Sequence, residues 1–95
     1  MQISIVIPLL NEEESLAELY QWLTKVLTLN RFSYEIIFVD DGSTDGSWRV
    51  IMQLAEKDAQ VRGIRFLRNY GKSQALHAGF KAAEGEVVIT MDADL

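Results

Sequence analysis

The sequence predicts an α/β chain in which a parallel sheet of about four strands is flanked by helices, in the order β-α-β-α-β-α-β. Three observations carry that expectation. Short β-branched apolar runs alternate with stretches whose apolar residues recur every three or four positions. The connections between them are short, and right-handed crossovers of that kind build parallel strand pairs. Residues that favour turns and caps, among them Asn11, the run from Asp40 to Asp45, Gly71 and Gly85, fall at the seams.

The first strand is read in ISIVIPL, residues 3–9, with its ladder ending at Pro8, which donates no amide hydrogen. Asn11 then offers a helix N-cap, Glu12, Glu13 and Glu14 suit the positive end of a helix dipole, and Asn11 with Glu14 has capping-box spacing. Leu16, Leu19, Leu23, Val26 and Leu27 form the apolar stripe of a helix expected over residues 12–28 and ended by Asn30. YEIIFV, residues 34–39, reads as the second strand and runs into Asp40, Asp41, Gly42, Ser43, Thr44 and Asp45. The next helix starts within that cluster and carries Trp48, Ile51, Met52 and Ala55 on its inner face, to about Asp58.

VRGIRFL, residues 61–67, gives a weaker third strand, placed at a sheet edge because Arg62 and Arg65 interrupt its apolar pattern. From Gly71 a last helix follows, with Ala75, Leu76, Ala78, Gly79 and Ala82 as a small-residue face and Gly85 as its C′ residue. The fourth strand lies in EVVITMDADL, where Val87, Val88, Ile89 and Met91 read as a strand covered on both faces. It leaves the sheet at Asp92 and Asp94. A Rossmann-like half-unit of this kind has strand order 3-2-1-4, so its switch-point crevice opens between Pro8 to Asn11 and Asp92 to Asp94.

Composition narrows the function. With 95 residues the chain holds one domain at most, large enough to bury a core. Its net charge of −5 argues against an extended nucleic-acid groove or a polybasic membrane patch, so no nucleic-acid partner is expected. Cysteine is absent, which excludes a disulfide framework, a thiolate metal site and a cysteine nucleophile, and is compatible with the cytoplasm. The opening run MQISIVIPLL has no basic leader and is too short to span a bilayer.

The chemistry concentrates at the strand exits. No cap or salt-bridge pattern in the sequence accounts for Asp92 and Asp94, and two carboxylates one residue apart can both reach a divalent cation that keeps positions for phosphates. Asp40, at a strand end facing the crevice, can accept hydrogen bonds from a base or ribose, whereas Asp41, Ser43 and Asp45 are as well explained by turns and caps. A calcium loop opening at Asp41 fails, because its twelfth position is Met52. Gly71, Lys72 and Ser73 resemble the end of a phosphate-binding P-loop, but Phe66 stands where its first glycine belongs. No dinucleotide GxGxxG follows the first strand. Lys72 and Arg68, beside a helix start, are placed to meet a phosphate, while His77 lacks any partner histidine or cysteine and reads as structural. Glu12 is explained by the helix dipole alone, yet its position beside the crevice keeps a ribose contact open.

Taken together, IPLLNEE around Pro8, Asn11 and Glu12, DDGSTDGS from Asp40, RNYGKSQAL from Arg68, and MDAD at Met91 to Asp94 resemble family 2 glycosyltransferases of the GT-A fold. The likeness is to the branch that transfers a sugar from a nucleotide donor to a polyprenyl phosphate, such as dolichyl-phosphate mannosyltransferase and its undecaprenyl-phosphate relatives. It covers residues 1–95, as the nucleotide-sugar-binding N-terminal portion of such a domain, cut at the DxD motif. The resemblance implies an inverting transfer with Mg2+ or Mn2+ as cofactor, a nucleoside diphosphate sugar as donor, and a polyprenyl phosphate or another glycan as acceptor. It implies that Pro8 and Leu10 line the nucleotide, Glu12 binds the ribose, and Phe38 and Asp40 hold the base. Asp92 and Ala93 would contact the sugar nucleotide, and Asp94, with Asp92, the metal. Leu10 departs from the family's usual tyrosine, and His77 replaces an asparagine common outside the lipid-phosphate branch.

The acceptor site, any catalytic base and any membrane anchor would lie beyond Leu95, so these residues alone are expected to be inactive, in a parent protein at the cytoplasmic face of a membrane. An unpaired apolar edge at the fourth strand would favour a homo-oligomer. Two rival readings differ in class: a catalytically inert nucleotide-binding or assembly module, and a nucleotidyltransferase or phosphohydrolase using Asp92 and Asp94.

Overall fold

The computed structural model describes residues 1–94 and has the expected order: β1 (Ile3–Leu9), α1 (Leu16–Leu29), β2 (Tyr34–Asp40), α2 (Ser47–Lys57), β3 (Val61–Arg65), α3 (Lys72–Ala82) and β4 (Val87–Thr90). All pairings in the sheet are parallel and the strand order is β3-β2-β1-β4. β1 and β2 are central and buried along nearly their whole length, as a sheet covered on both faces requires.

Alternation along the two central strands separates two cores. Ile3, Ile5, Ile7 and Leu9 of β1 join Ile36 and Phe38 of β2 and Val61 of β3 in one cluster with Leu16, Leu19, Leu23 and Leu27 of α1 and Ile51 and Leu54 of α2. Burying the four leucines of α1 contributes about 1.5–3 kcal/mol each. On the opposite face Val6, Ile37 and Val39 pack against Ala75 of α3, with Leu76, Ala78 and Ala82 beside them. Gly79 touches Val6 so closely that a Cβ there would collide with the valine side chain, which is the close helix-to-sheet packing the small residues predict. α1 and α2 are joined by a hydrogen bond from Tyr20 Oη to Asp58 Oδ2 of 2.7 Å. Burial and that carboxylate push the Tyr20 phenol up to about 12, so it stays a neutral donor.

Several local expectations are corrected. α1 begins at Leu16 with Ser15 as its N-cap residue, not at residue 12, and Glu12 to Glu14 lie in the preceding turn. Asn11 adopts a left-handed backbone (φ 55) and its carboxamide oxygen accepts the amide hydrogens of Thr44 (2.8 Å) and Asp45 (3.2 Å), so it holds the loop before α2 and caps no helix of its own. Val26 and Met52 are exposed, because each sits on the flank of its helix away from the sheet contact. β3 stops at Arg65, and Leu67 is almost fully exposed.

Gly85 is not a C′ residue, since α3 ends with Ala83 as its C-cap. A Cβ on Gly85 would lie 2.7 Å from the Ser4 amide nitrogen, so this glycine serves the close passage of the α3–β4 connection over β1. β4 is exposed along its length, with Val87 at 55%, Val88 at 40% and Ile89 at 41%, where coverage on both faces was expected. Among the described residues it is an edge strand paired only with β1, and no helix packs on it closely enough to bury it.

Candidate functional site

The C-terminal ends of β1, β2 and β4 open onto one side of the sheet, and Pro8 explains why a cleft forms there. The carbonyl of Val6 accepts the amide of Met91 (3.2 Å), so even-numbered residues at this end of β1 turn their backbone groups toward β4. The next rung on that side falls to Pro8, which has no N–H. The β1–β4 ladder accordingly ends at Val6 and Thr90, while the β1–β2 ladder continues to Leu9 and Asp40. With that rung missing, β4 peels away and leaves space at the switch point.

The space is a cleft of about 380 Å³. Pro8, Leu9, Leu10 and Glu12 line it from the β1 exit, Asp41 from the β2 exit, Asn69, Gly71 and Lys72 from the approach to α3, and Asp92, Ala93 and Asp94 from the β4 exit. Four segments distant in sequence therefore meet at the edge where open α/β sheets bind ligands. Asp94 also borders a second depression, of about 560 Å³, rimmed by Glu12, Glu13, Glu14, Glu18 and Asp45, so it stands between the cleft and an acidic rim.

The loops are held by short-range polar contacts. Asp41 accepts the backbone amides of Tyr70 (2.8 Å) and Gly71 (3.1 Å), which ties the start of α3 to the end of β2. Asp45 accepts both the amide (2.9 Å) and the hydroxyl (2.6 Å) of Ser47, and the hydroxyl oxygen of Ser47 accepts the amide of Glu12 (2.9 Å). Partial desolvation raises the Asp45 carboxyl, but the Ser47 hydroxyl and amide and the Glu13 amide more than offset it and hold it below the usual range. The Ser15 hydroxyl lies within hydrogen-bonding distance of Ala93 O (3.1 Å) and Glu12 Oε2 (3.1 Å), linking the β4 exit to the turn before α1. The Lys72 ammonium reaches across the cleft to Asp92 Oδ1 at 2.9 Å.

Of the residues singled out in the sequence, Pro8, Leu10, Glu12, Lys72, Asp92, Ala93 and Asp94 come together in the cleft. Phe38 does not: as an even-numbered residue of β2 it points into the α1–α2 core and is fully buried, with no surface on the cleft. Asp40 is 1% exposed, with Oδ1 accepting the Ser43 amide (2.8 Å) and Oδ2 buried without a partner among the described residues. Arg68 stacks over the Tyr70 ring at 4.9 Å, away from the cleft. His77 lies on the outer side of α3 beside Phe66, Gln74 and Lys81. Asp41, Asn69 and Ser15 were not foreseen as site residues. The doubled acid after β2 was the available signal for Asp41, but its local explanation as a turn residue was as good.

Among the described residues no group of three or more histidines, cysteines and carboxylates is arranged to hold a metal ion. Asp92 and Asp94 do supply the one or two carboxylates by which a hard cation is bound when substrate phosphates complete its shell, so the donor set fits Mg2+ or Mn2+ as part of a ternary site.

Comparison with known proteins identifies the family. The model of the family described as "Glycosyl transferase family 2" matches residues 4–95. Over 94 residues the chain is 47% identical to the undecaprenyl-phosphate 4-deoxy-4-formamido-L-arabinose transferase of Pseudomonas fluorescens, covering 98% of this chain and 28% of that protein. The S. aureus TarS 1-349 structure in complex with UDP-GlcNAc superposes with a TM-score of 0.84 at 28% identity, over 99% of this chain and 27% of that one. The mannosyltransferase PcManGT from Pyrobaculum calidifontis, in complex with GDP-Man and Mn2+, gives 0.75 at 25% identity, over 98% and 27%. The chain thus spans under a third of each of these proteins.

Proposed function

Since the chain belongs to glycosyl transferase family 2 and has the GT-A type of parallel sheet, we propose that it is the donor-binding portion of a metal-dependent, inverting glycosyltransferase. The donor is a nucleoside diphosphate sugar and the acceptor a polyprenyl phosphate or, failing that, another glycan. The observation that carries this reading is the meeting of Pro8, Leu10, Glu12, Asp41, Lys72, Asp92 and Asp94 around one cleft at the sheet's switch point. The donor complexes of TarS and PcManGT support the donor class, and the name of the P. fluorescens relative supports the acceptor.

In this arrangement Pro8 and Leu10 line the nucleotide and Glu12 meets the ribose. Asp40 would hold the base only once its enclosed carboxylate became accessible, when a ring N–H would give the buried, unpartnered Oδ2 the hydrogen bond it lacks. Phe38 contributes only as the packed support behind Asp40. Asp92 and Ala93 meet the sugar nucleotide, and Asp94, with Asp92, would hold the metal. When bound, Mg2+ or Mn2+ neutralises charge on the departing nucleoside diphosphate. An acceptor phosphate is already anionic and asks little of a catalytic base, which suits a cleft whose chain supplies carboxylates for binding. No helix among the described residues is long and apolar enough to cross a membrane, and the parent's place at the cytoplasmic face is part of the proposal.

Calorimetric titration with UDP or GDP and Mn2+ tests the assignment. Binding should depend on the metal, and Asp94→Ala should weaken the metal-dependent affinity about tenfold or more, the range expected when a positioning or ligating group is lost. Metal-independent binding, or an unchanged affinity in Asp94→Ala, would sink it. The exposed β4 edge, with Val87, Val88 and Ile89, further predicts self-association; light scattering at high concentration should show a dimer or larger species, and a monomer rejects that part.

A further inference from the structure

We propose that Lys72 and a divalent cation are alternative partners of Asp92, and that the pyrophosphate of the donor draws Lys72 away. The proposal rests on the donor-site reading above and assigns Lys72 a second task within it. Lys72 Nζ and Asp92 Oδ1 are 2.9 Å apart, joining the first turn of α3 to the β4 exit across the cleft. Asp92 is therefore already paired with a cation, on one of the two carboxylates that suit a metal.

The exchange requires only the side chain of Lys72 to move. Its backbone is fixed from both sides: Asp41 accepts the amides of Tyr70 and Gly71, and the Gly71 carbonyl accepts the Ala75 amide (3.2 Å) in the first turn of α3. Both side chains of the ion pair are about two-thirds exposed, at 65% and 66%. An ion pair so exposed shifts an equilibrium only about two- to fivefold, so it is readily traded for a stronger partner. Each group has such a partner in the donor complex. The ammonium is a compact donor suited to a phosphate oxygen, and the carboxylate is a hard oxygen ligand suited to Mg2+ or Mn2+.

Charge around the cleft makes the trade directional. Glu12, Asp41, Asp92 and Asp94 line it, and Lys72 is the only basic residue among the lining residues. A pyrophosphate entering alone meets four carboxylates and one ammonium that is already engaged. A metal entering alone meets Lys72 on Asp92. When both enter, the metal takes Asp92 and the phosphate takes Lys72, so each improves the affinity of the other by the same factor.

Lys72→Met, nearly equal in length and uncharged, separates these effects by sign. Calorimetry on this variant should show Mn2+ alone binding about threefold more tightly than to wild type, in line with loss of an exposed competing ion pair. With Mn2+ saturating, the nucleoside diphosphate that binds wild type better, UDP or GDP, should bind about tenfold more weakly, as loss of a charge-assisted hydrogen bond to phosphate predicts. The corresponding free nucleoside should bind both proteins equally. Lys72→Arg should keep the wild-type pattern in all three titrations, and an unchanged urea midpoint in both variants establishes that the fold is intact. Mn2+ affinity that is unchanged or weaker in Lys72→Met, with normal donor binding by wild type, overturns the exchange and leaves the donor-site reading standing. Failure of wild type to bind either nucleoside diphosphate with Mn2+ overturns both.

Discussion

Gly42→Ala is expected to destabilise the protein by about 2–5 kcal/mol, combining left-handed backbone strain of about 1–2 kcal/mol with overpacking of about 1–3 kcal/mol. Gly42 has φ 85, and a Cβ there would lie 2.5 Å from the Asn69 amide nitrogen and against the Arg68 carbonyl carbon. Both are backbone atoms, so no flexible side chain can move aside. The clash falls on the segment that leads from β3 into Gly71 and Lys72, and relieving it displaces the wall of the cleft opposite Asp92. A urea titration should therefore show a lower midpoint with an unchanged slope, and the variant should lose donor affinity even where it is fully folded. Gly46→Ala is the contrasting control. Its φ is −84 and its Cβ would meet only the exposed Glu13 side-chain carboxylate, which can swing away, so the change should be close to neutral. Equal stability of the two variants would refute the backbone-crossing account.

Glu35→Ala is expected to cost about 3 kcal/mol, within the range for removing one partner of a buried polar cluster. The Glu35 side chain is 2% exposed, at the opposite end of the sheet from the cleft. Its Oε1 accepts a hydrogen bond from Arg62 (2.8 Å), and its Oε2 accepts the Ser4 hydroxyl (2.6 Å) and the Glu84 amide (2.7 Å). The Ser4 hydroxyl oxygen in turn accepts the Gly85 amide (2.8 Å). One carboxylate thus joins β1, β2, β3 and the α3–β4 connection. Arg62 is 42% exposed and regains water when its partner is lost, so the cost comes mainly from the buried hydroxyl and amide left unpaired.

The same carboxylate gives the fold a pH dependence. Burial by itself raises the Glu35 carboxyl, but the hydrogen bonds from Ser4, Glu84 and Arg62 and the Arg62 charge outweigh it, and the net shift is downward. A carboxyl lowered in the folded state contributes stability that is complete above the ordinary glutamate value and is lost as pH falls through the folded value. Urea midpoints measured from neutral pH into the acid range should therefore decline less steeply in Glu35→Gln than in wild type. Parallel declines would remove Glu35 as a source of the acid sensitivity.

Much of the fold is legible in the sequence because its signals are local and repeated. ISIVIPL and YEIIFV bury both faces, the leucines of α1 recur at helical spacing, and short connections leave few topologies, so the order 3-2-1-4 follows. Boundaries read less well where one residue has two uses. Asn11 suits an N-cap and a left-handed turn equally, and the choice is made by Thr44 and Asp45, more than thirty positions away. Val88 and Ile89 look like core, but their burial depends on what packs beside them, and at the edge nothing described does.

For the site the division is similar. The sequence by itself determined which residue types stand at the strand exits: Pro8 and Leu10, Asp40, Lys72, and Asp92 with Asp94. It could do so because strand ends are marked by local composition and parallel topology brings those ends to one side. Only the tertiary structure decided which of them meet. It turned Phe38 into the core, enclosed Asp40, set Asp41 as the clamp on the start of α3, and put Lys72 on Asp92. Those outcomes depend on strand phase and on long-range contacts, and neither is fixed until the sheet and its helices have packed.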